Sequence, residues 1–296
     1  MKKDFFSENG KIAGLSKRIR AVFDDWNYEE IFLPFMEEYT DSLRGGLKHT
    51  DGKRFYLIKP DVTSQIIDRM KQRKTYRYFY FSDYFLGDGS CSIQFGAEFV
   101  GANPLQEKVE ILEVVASILR AVDVSDFYVD VGSLKHLNEI LAKIPERRRE
   151  AMEALKSRNF TVIEDMNIDE EIKEALWKIF SFRGRKSGIP QLDGIVDNLP
   201  EEHFFIDTGT VRYLDYYEDI VFEVYTPSSG KALGGGGDYA VKEMAGFGFS
   251  MDLRGLAEVA PFNSTMIREQ SGKKRRTKYA EVKNPILNGK TVEVIV

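Results

Sequence analysis

The chain has 296 residues, a net charge of −5, and 43% hydrophobic and 30% charged residues. This balance suits one large globular domain or two modest ones and argues against a surface built to coat nucleic acid. One cysteine, Cys91, excludes an internal disulfide framework, and three scattered histidines (His49, His136, His203) offer no metal spacing. No signal-peptide pattern or run of 18 apolar residues occurs, so a cytoplasmic protein without metal, cofactor or membrane contact is expected.

In chain order, "GKIAGLSKRIRAVFDDWNYEEI" (10–31) carries Ile12, Leu15, Ile19, Val22 and Phe23 at helical spacing. "EEIFLPFMEEY" reads as a strand, and Pro34 inside it lacks the N–H a central strand needs, which places it at an edge or an interface. "RFYLIKPDVTSQIIDRMKQR" reads as a strand ending near Lys59 and then a helix, with Pro60, Asp61 and Thr63 at its start. "YRYFYFSDYFLGDGSCSIQFGAEFVG" (76–101) reads as two strands joined by "GDGS", a hairpin signal.

"LQEKVEILEVVASILRAV" predicts an amphipathic helix, "DFYVDVGS" a strand and "LKHLNEILAKI" a further helix. From about 145 to 195 the sequence is charged and poor in strands, which predicts a small helical insertion. Strands resume at "HFFIDTGTVRYLDYYEDIVFEVY", followed by "SSGKALGGGGDYAV" and "GFGFSMDLRGL". In the tail, "NPILNG" separates two alternating runs and predicts a terminal hairpin. The expected fold is α+β, a mostly antiparallel sheet flanked by helices, with a core over 1–260, the insertion at 145–195 and a short tail over 261–296.

Four segments bring polar groups to this sheet: Asp61 and Thr63 in "KPDVT", Gln94 and Glu98 in "QFGAE", Arg212 and Tyr217 in "RYLDYY", and Asp238 after "GGGG". Gln94 and Glu98 are four apart on a strand and share a face. Such a set can bind an amino acid. Arginine takes a carboxylate through two parallel charge-assisted hydrogen bonds. Asp61, Thr63 and Gln94 can orient an ammonium, Glu98 can accept a ring N–H, and a glycine run lets backbone approach a ligand. Each feature also has a plain alternative. Gln94 and Glu98 can face solvent, Arg212 and Asp215 can form a surface ion pair, Asp61 can be a helix cap, and the glycines can form a flexible loop.

The order of these segments resembles the class II aminoacyl-tRNA synthetase core, specifically the histidyl-tRNA synthetases, over about 8–140 and 200–258. "YEEIFLPFMEEY" looks like motif 1, the dimer-interface strand of that family. "LIKPDVTSQI" resembles the "LRPEGT" segment, and "QFGAEFVGANPLQEKVEILEVV" the end of motif 2 with its following helix. "TVRYLDYYEDIVFEVY" resembles the histidine-specific "VRGLDYYxxTVFE". The resemblance implies that Asp61, Thr63 and Gln94 face the amino end of histidine. It places Glu98 and Tyr217 at the imidazole and makes Arg212 the histidine-specific arginine.

The same resemblance implies that ATP chemistry is lost. Leu86 stands where motif 2 carries its phosphate-clamping arginine, and Leu253 where motif 3 carries its own. Arg254, one residue on, would be turned by about 100° on a helix. Gly236 and Gly237 replace the arginine and tyrosine of "GGRYD". Losing one preorganised donor commonly costs about 10² to 10³ in rate. No anticodon-binding domain is expected in the 261–296 tail.

A synthetase-like core with a histidine pocket, no ATP machinery and no anticodon domain resembles the regulatory subunits of ATP phosphoribosyltransferase in histidine biosynthesis. That resemblance implies a non-catalytic homodimer binding histidine and a short-form ATP phosphoribosyltransferase catalytic subunit, with no nucleic acid. The alternatives are a truncated synthetase-like amino-acid ligase, a divergent paralogue with another small ligand, and an RNA-binding module resting on "KKRR" (273–276).

Overall fold

Helix α1 (Phe5–Asp25) forms where apolar residues recur at helical spacing, and it buries Ile12, Leu15, Ile19 and Phe23 along one stripe. The computed structural model describes residues 5–69, 75–85, 89–100, 105–212, 216–241 and 244–261. After α1 come β1 (Glu29–Glu30), β2 (Met36–Glu38), β3 (Leu47–Thr50), β4 (Phe55–Ile58) and helix α2 (Val62–Arg69). The long strands β5 (Tyr76–Phe85) and β6 (Cys91–Val100) lead to helix α3 (Leu105–Ala121) and β7 (Tyr128–Ser133). Helices α4 (Leu134–Leu141), α5 (Arg148–Lys156), α6 (Thr161–Glu164) and α7 (Glu170–Ser181) follow. The chain continues through β8 (Arg183–Gly184), α8 (Pro190–Val196), β9 (Phe204–Asp207), β10 (Tyr217–Tyr225), β11 (Gly234–Val241), β12 (Met244–Asp252) and α9 (Leu253–Val259).

Nine strands form one sheet in the order β1-β5-β6-β12-β11-β10-β7-β9-β8, and β2, β4 and β3 form a small second sheet. Among the described residues of the large sheet, only the β1–β5 and β7–β9 pairs are parallel. One face carries Phe95 and Phe99 of β6, Phe222 of β10, and Phe247 and Phe249 of β12. These pack against Leu15 and Phe23 of α1, Ile111 and Val115 of α3, Ile195 of α8 and Leu256 of α9. A second core joins helices α4 to α7 to Val211 and Val221. This is the expected α+β architecture, a mostly antiparallel sheet flanked by helices, but the helices lie on both faces rather than one: Val221, opposite Gly237, turns to α4–α7, away from the phenylalanine face.

Three sequence expectations change in detail. The stretch around Pro34 is two strands in two sheets. β1 ends the large sheet, the chain leaves it at the proline, and β2 pairs with β4. The 145–195 stretch includes β8, which pairs with β9, and α8, whose Leu192, Ile195 and Val196 join the main core. The "GGGG" run is no loop, because it lies in β11 between β10 and β12. A Cβ on Gly236 would fall 1.9 Å from the Gly248 carbonyl oxygen, so the strands approach too closely for a side chain. Leu86, Asp215, "KKRR" and the tail hairpin lie outside the described residues.

Candidate functional site

Strand alternation sends Tyr80, Glu98, Gly235, Gly237, Tyr239 and Gly248 to the sheet face opposite the phenylalanine core. The N-terminus of α2 sits over this face. Asp61 starts that helix as its cap: Oδ1 accepts from the Ser64 N–H at 2.8 Å, and the Asp61 N–H donates to the Arg44 carbonyl at 2.7 Å. The cap fixes the first turn, so Thr63 points at β6 and its hydroxyl donates to Glu98 Oε1 at 2.6 Å. The other Glu98 oxygen, Oε2, accepts from the Tyr239 hydroxyl at 2.7 Å. The free oxygen of Asp61, Oδ2, accepts from the Tyr216 hydroxyl at 3.3 Å.

Glu98 is only 2% exposed. Burial pushes its carboxyl up to about 8, against the lowering effect of the Thr63 and Tyr239 hydrogen bonds; the nearby Asp61 charge raises it further. Burial also raises the Asp61 carboxyl, although its cap and tyrosine hydrogen bonds pull the other way. Asp61 is partly exposed as a residue, but its carboxylate is enclosed. Among the described residues no lysine or arginine pairs with either acid. Two enclosed acids without a cation make a place for a ligand that brings N–H donors or positive charge.

Tyr217 stands beside this pair. Burial pushes its hydroxyl up to about 12, while Arg212, hydrogen-bonded to it, pulls it down. Arg212 is half-buried over Gly235, with Nη1 3.7 Å from Glu223 Oε1. It therefore lies at the edge of the acid cluster, on the side a ligand carboxylate could approach.

Of the six sequence-derived residues, Asp61, Thr63, Glu98 and Tyr217 converge, and Arg212 joins them through Tyr217. Gln94 shares the face of Glu98 but pairs with Ser82 and Asp252, about 13 Å further along β6. Asp238 turns the other way, into the helix layer. There it forms a buried ion pair with Lys108 at 2.6 Å and accepts the Asp219 N–H at 2.8 Å. Its role is structural, since a buried pair of this kind leaves a costly lone charge if either partner is removed. Tyr80, Tyr216 and Tyr239 are part of the cluster but were not among the expected residues. The signal for Tyr239 was its period-two spacing from Gly237.

The motif 3 corner is different in kind. Leu253 is 1% exposed in the main core. Arg254 turns to α1, where Nη1 lies 3.0 Å from Glu8 Oε1. A cleft of about 460 Å³ near α9 is lined by Ser228, Lys231 and Glu258 and holds none of the expected site residues. Among the described residues no group of three or more His, Cys, Asp or Glu side chains is arranged to hold a metal ion.

The Histidyl-tRNA synthetase family profile matches residues 6–194 and 186–256. A histidine–tRNA ligase of Methanococcus maripaludis is 26% identical over 80% of this chain and 68% of its own length. An ATP phosphoribosyltransferase regulatory subunit of Desulforamulus reducens is 25% identical over 82% of this chain and 72% of its own. A structure of the ATP phosphoribosyl transferase (HisG:HisZ) complex from Thermotoga maritima superposes with a TM-score of 0.66 at 19% identity. It covers 84% of this chain and 98% of that one, a match that establishes the shared fold. The chain belongs to the histidyl-tRNA synthetase family.

Proposed function

We propose that this member of the family is a regulatory subunit of ATP phosphoribosyltransferase that binds histidine without activating it. The observation that carries the reading is the contrast within one fold. Among the described residues the acids Asp61 and Glu98 have no lysine or arginine partner, while Leu253 fills core space at the position where the resemblance puts a phosphate-binding arginine. Adenylation requires fixed positive charge around the phosphates. Arg254 is engaged by Glu8 on α1, which supports a site without that charge.

In this reading Glu98 and Tyr217 face the imidazole, Asp61 and Thr63 face the ammonium, and Arg212 takes the carboxylate end; Gln94, about 13 Å along β6 from Glu98, lies beyond these contacts. The 1–260 stretch acts as one class II core interrupted by the helical unit. The partner is a short-form catalytic subunit, and histidine favours one arrangement of the complex by about 1–3 kcal/mol, the usual size of allosteric coupling. Exposed Phe32, Phe35 and Met36 beside Pro34, with Leu47 and Phe55 of the small sheet, support a symmetric dimer through the motif 1 segment.

The second reading, an amino-acid ligase, rests on the ligase names among the relatives. Two assays separate them. Co-purification with a short-form ATP phosphoribosyltransferase, with histidine altering its rate, is the expected result. Histidine-dependent exchange of pyrophosphate into ATP would overturn the regulatory reading and establish the ligase.

A further inference from the structure

Glu98 is seated by more than its two hydrogen bonds. On β12, Gly248 is the cross-strand partner of Glu98, and Gly246 that of Tyr239 on β11. A Cβ on Gly248 would fall 1.9 Å from Glu98 Oε2, and one on Gly246 would fall 2.6 Å from Tyr239 Cζ. Both β12 residues must be glycine for the acid and the phenol to meet. Gly237 has no room for a side chain. Its Cβ would meet the Ile220 carbonyl oxygen at 2.7 Å, Val221 Cγ1 at 3.0 Å and Tyr217 Cδ1 at 3.2 Å. The next residue on that face is Tyr239, about 7 Å along the strand.

The phenol is 3% exposed. Its ring meets Tyr216 edge to face at 6.1 Å, and Tyr216 in turn donates to Asp61. The two acids are therefore bridged by two touching tyrosines.

We propose that Tyr239 is a positioning residue of the ligand pocket, holding Glu98 at an angle that leaves a lone pair on each carboxylate oxygen open to an N–H of the ligand. This rests on the histidine reading above. A carboxylate has about four acceptor sites. Thr63 takes one on Oε1 and Tyr239 takes one on Oε2, so donors can still be accepted at both. The ligand class is a small molecule with a ring or amine N–H, and the tyrosine sets where that N–H must lie. Without the hydroxyl, Glu98 keeps a single anchor and can rotate.

The experiment uses the full chain with Tyr239→Phe and Glu98→Gln, singly and together. In ligand-free protein, the carboxyl carbon of Glu98 is titrated by NMR. Tyr239→Phe should move its midpoint upward, because the hydroxyl favours the ionised form. An unchanged midpoint overturns the proposal. By calorimetry, Tyr239→Phe should weaken L-histidine binding about tenfold in the native background and less than about twofold in the Glu98→Gln background. Equal losses in both overturn it, since Tyr239 would then act independently of Glu98. Gly246→Ala, which displaces the ring and keeps the hydroxyl, should reproduce both effects and serves if Tyr239→Phe does not fold. If the native chain binds no histidine at millimolar concentration, the histidine reading falls, and the carboxyl titration alone decides the positioning role.

Discussion

Two corners of the same sheet face opposite demands. At the α9 corner, Leu253 is ordinary core, and its neighbour Arg254 makes a half-exposed ion pair with Glu8. At the α2 corner, two carboxyl groups are enclosed with tyrosine hydroxyls and, among the described residues, no lysine or arginine as partner. The first corner stabilises the fold and needs no ligand to explain it. The second costs stability, because an acid must be desolvated there, and such sites cluster where a ligand is recognised. The contrast is between two environments of one fold: at α2 acids are enclosed without a cationic partner among the described residues, and at α9 the side chains serve packing.

The largest effect expected from testing this contrast is at the packing corner. Leu253→Ala should lower stability by about 2–5 kcal/mol, the range for a buried leucine truncation, with histidine affinity unchanged. Denaturant unfolding beside calorimetry reads both. A large loss of affinity with little loss of stability would reverse the assignment of the two corners.

Glu98→Gln should act in the opposite sense. The folded-state pKa of Glu98 is raised, to about 8 from 4.5, so the native state holds its proton more tightly than the unfolded chain. Its contribution is complete below the unfolded pKa and is lost as pH rises from about 4.5 through 8. Each pH unit crossed within that window removes up to about 1.4 kcal/mol, which makes the native protein less stable at pH 8 than at pH 5. The glutamine variant should be flatter over that window and melt higher at pH 8; a melting profile parallel to the native one would contradict the enclosed carboxyl.

Affinity supplies the third test. Above about pH 8, where Glu98 is ionised, replacing this charged acceptor should weaken histidine binding about tenfold to a hundredfold in Glu98→Gln, as expected for a hydrogen bond to a charged group, with a similar loss in Arg212→Ala. Full affinity in both variants would place the ligand elsewhere. Arg254→Ala marks the small end. Its partly exposed pair with Glu8 should contribute at most about 1 kcal/mol, and neither histidine binding nor complex assembly should change.

Much of the architecture was legible because it rests on periodicity. The helical stripe of α1 and the amphipathic α3 follow from spacing, and the long β5–β6 pair from its "GDGS" hairpin signal. Pro34 placed its segment at an edge or an interface by its missing N–H, yet spacing could not say that the chain would change sheets there. The glycine run was open to two readings, a loop or a close approach. Only strand register decided that it lies in the interior of the sheet, where neighbouring carbonyls leave no room for Cβ atoms.

The site divides along the same line. By itself the sequence determined which residue types could recognise an amino acid, and that Leu253 cannot hold phosphate, since both are matters of side-chain chemistry. Tertiary structure decided which of them meet. Asp61 proved to be a helix cap with an enclosed carboxyl group. Asp238 turned into the helix layer, and Gln94 lay well along the strand from the acids. Tyr239 took the place beside Glu98 that Gly237 cannot fill. A strand pleat sends alternate residues to opposite faces, and cross-strand register sets which side chains face one another, so a one-residue difference in position became a difference in role.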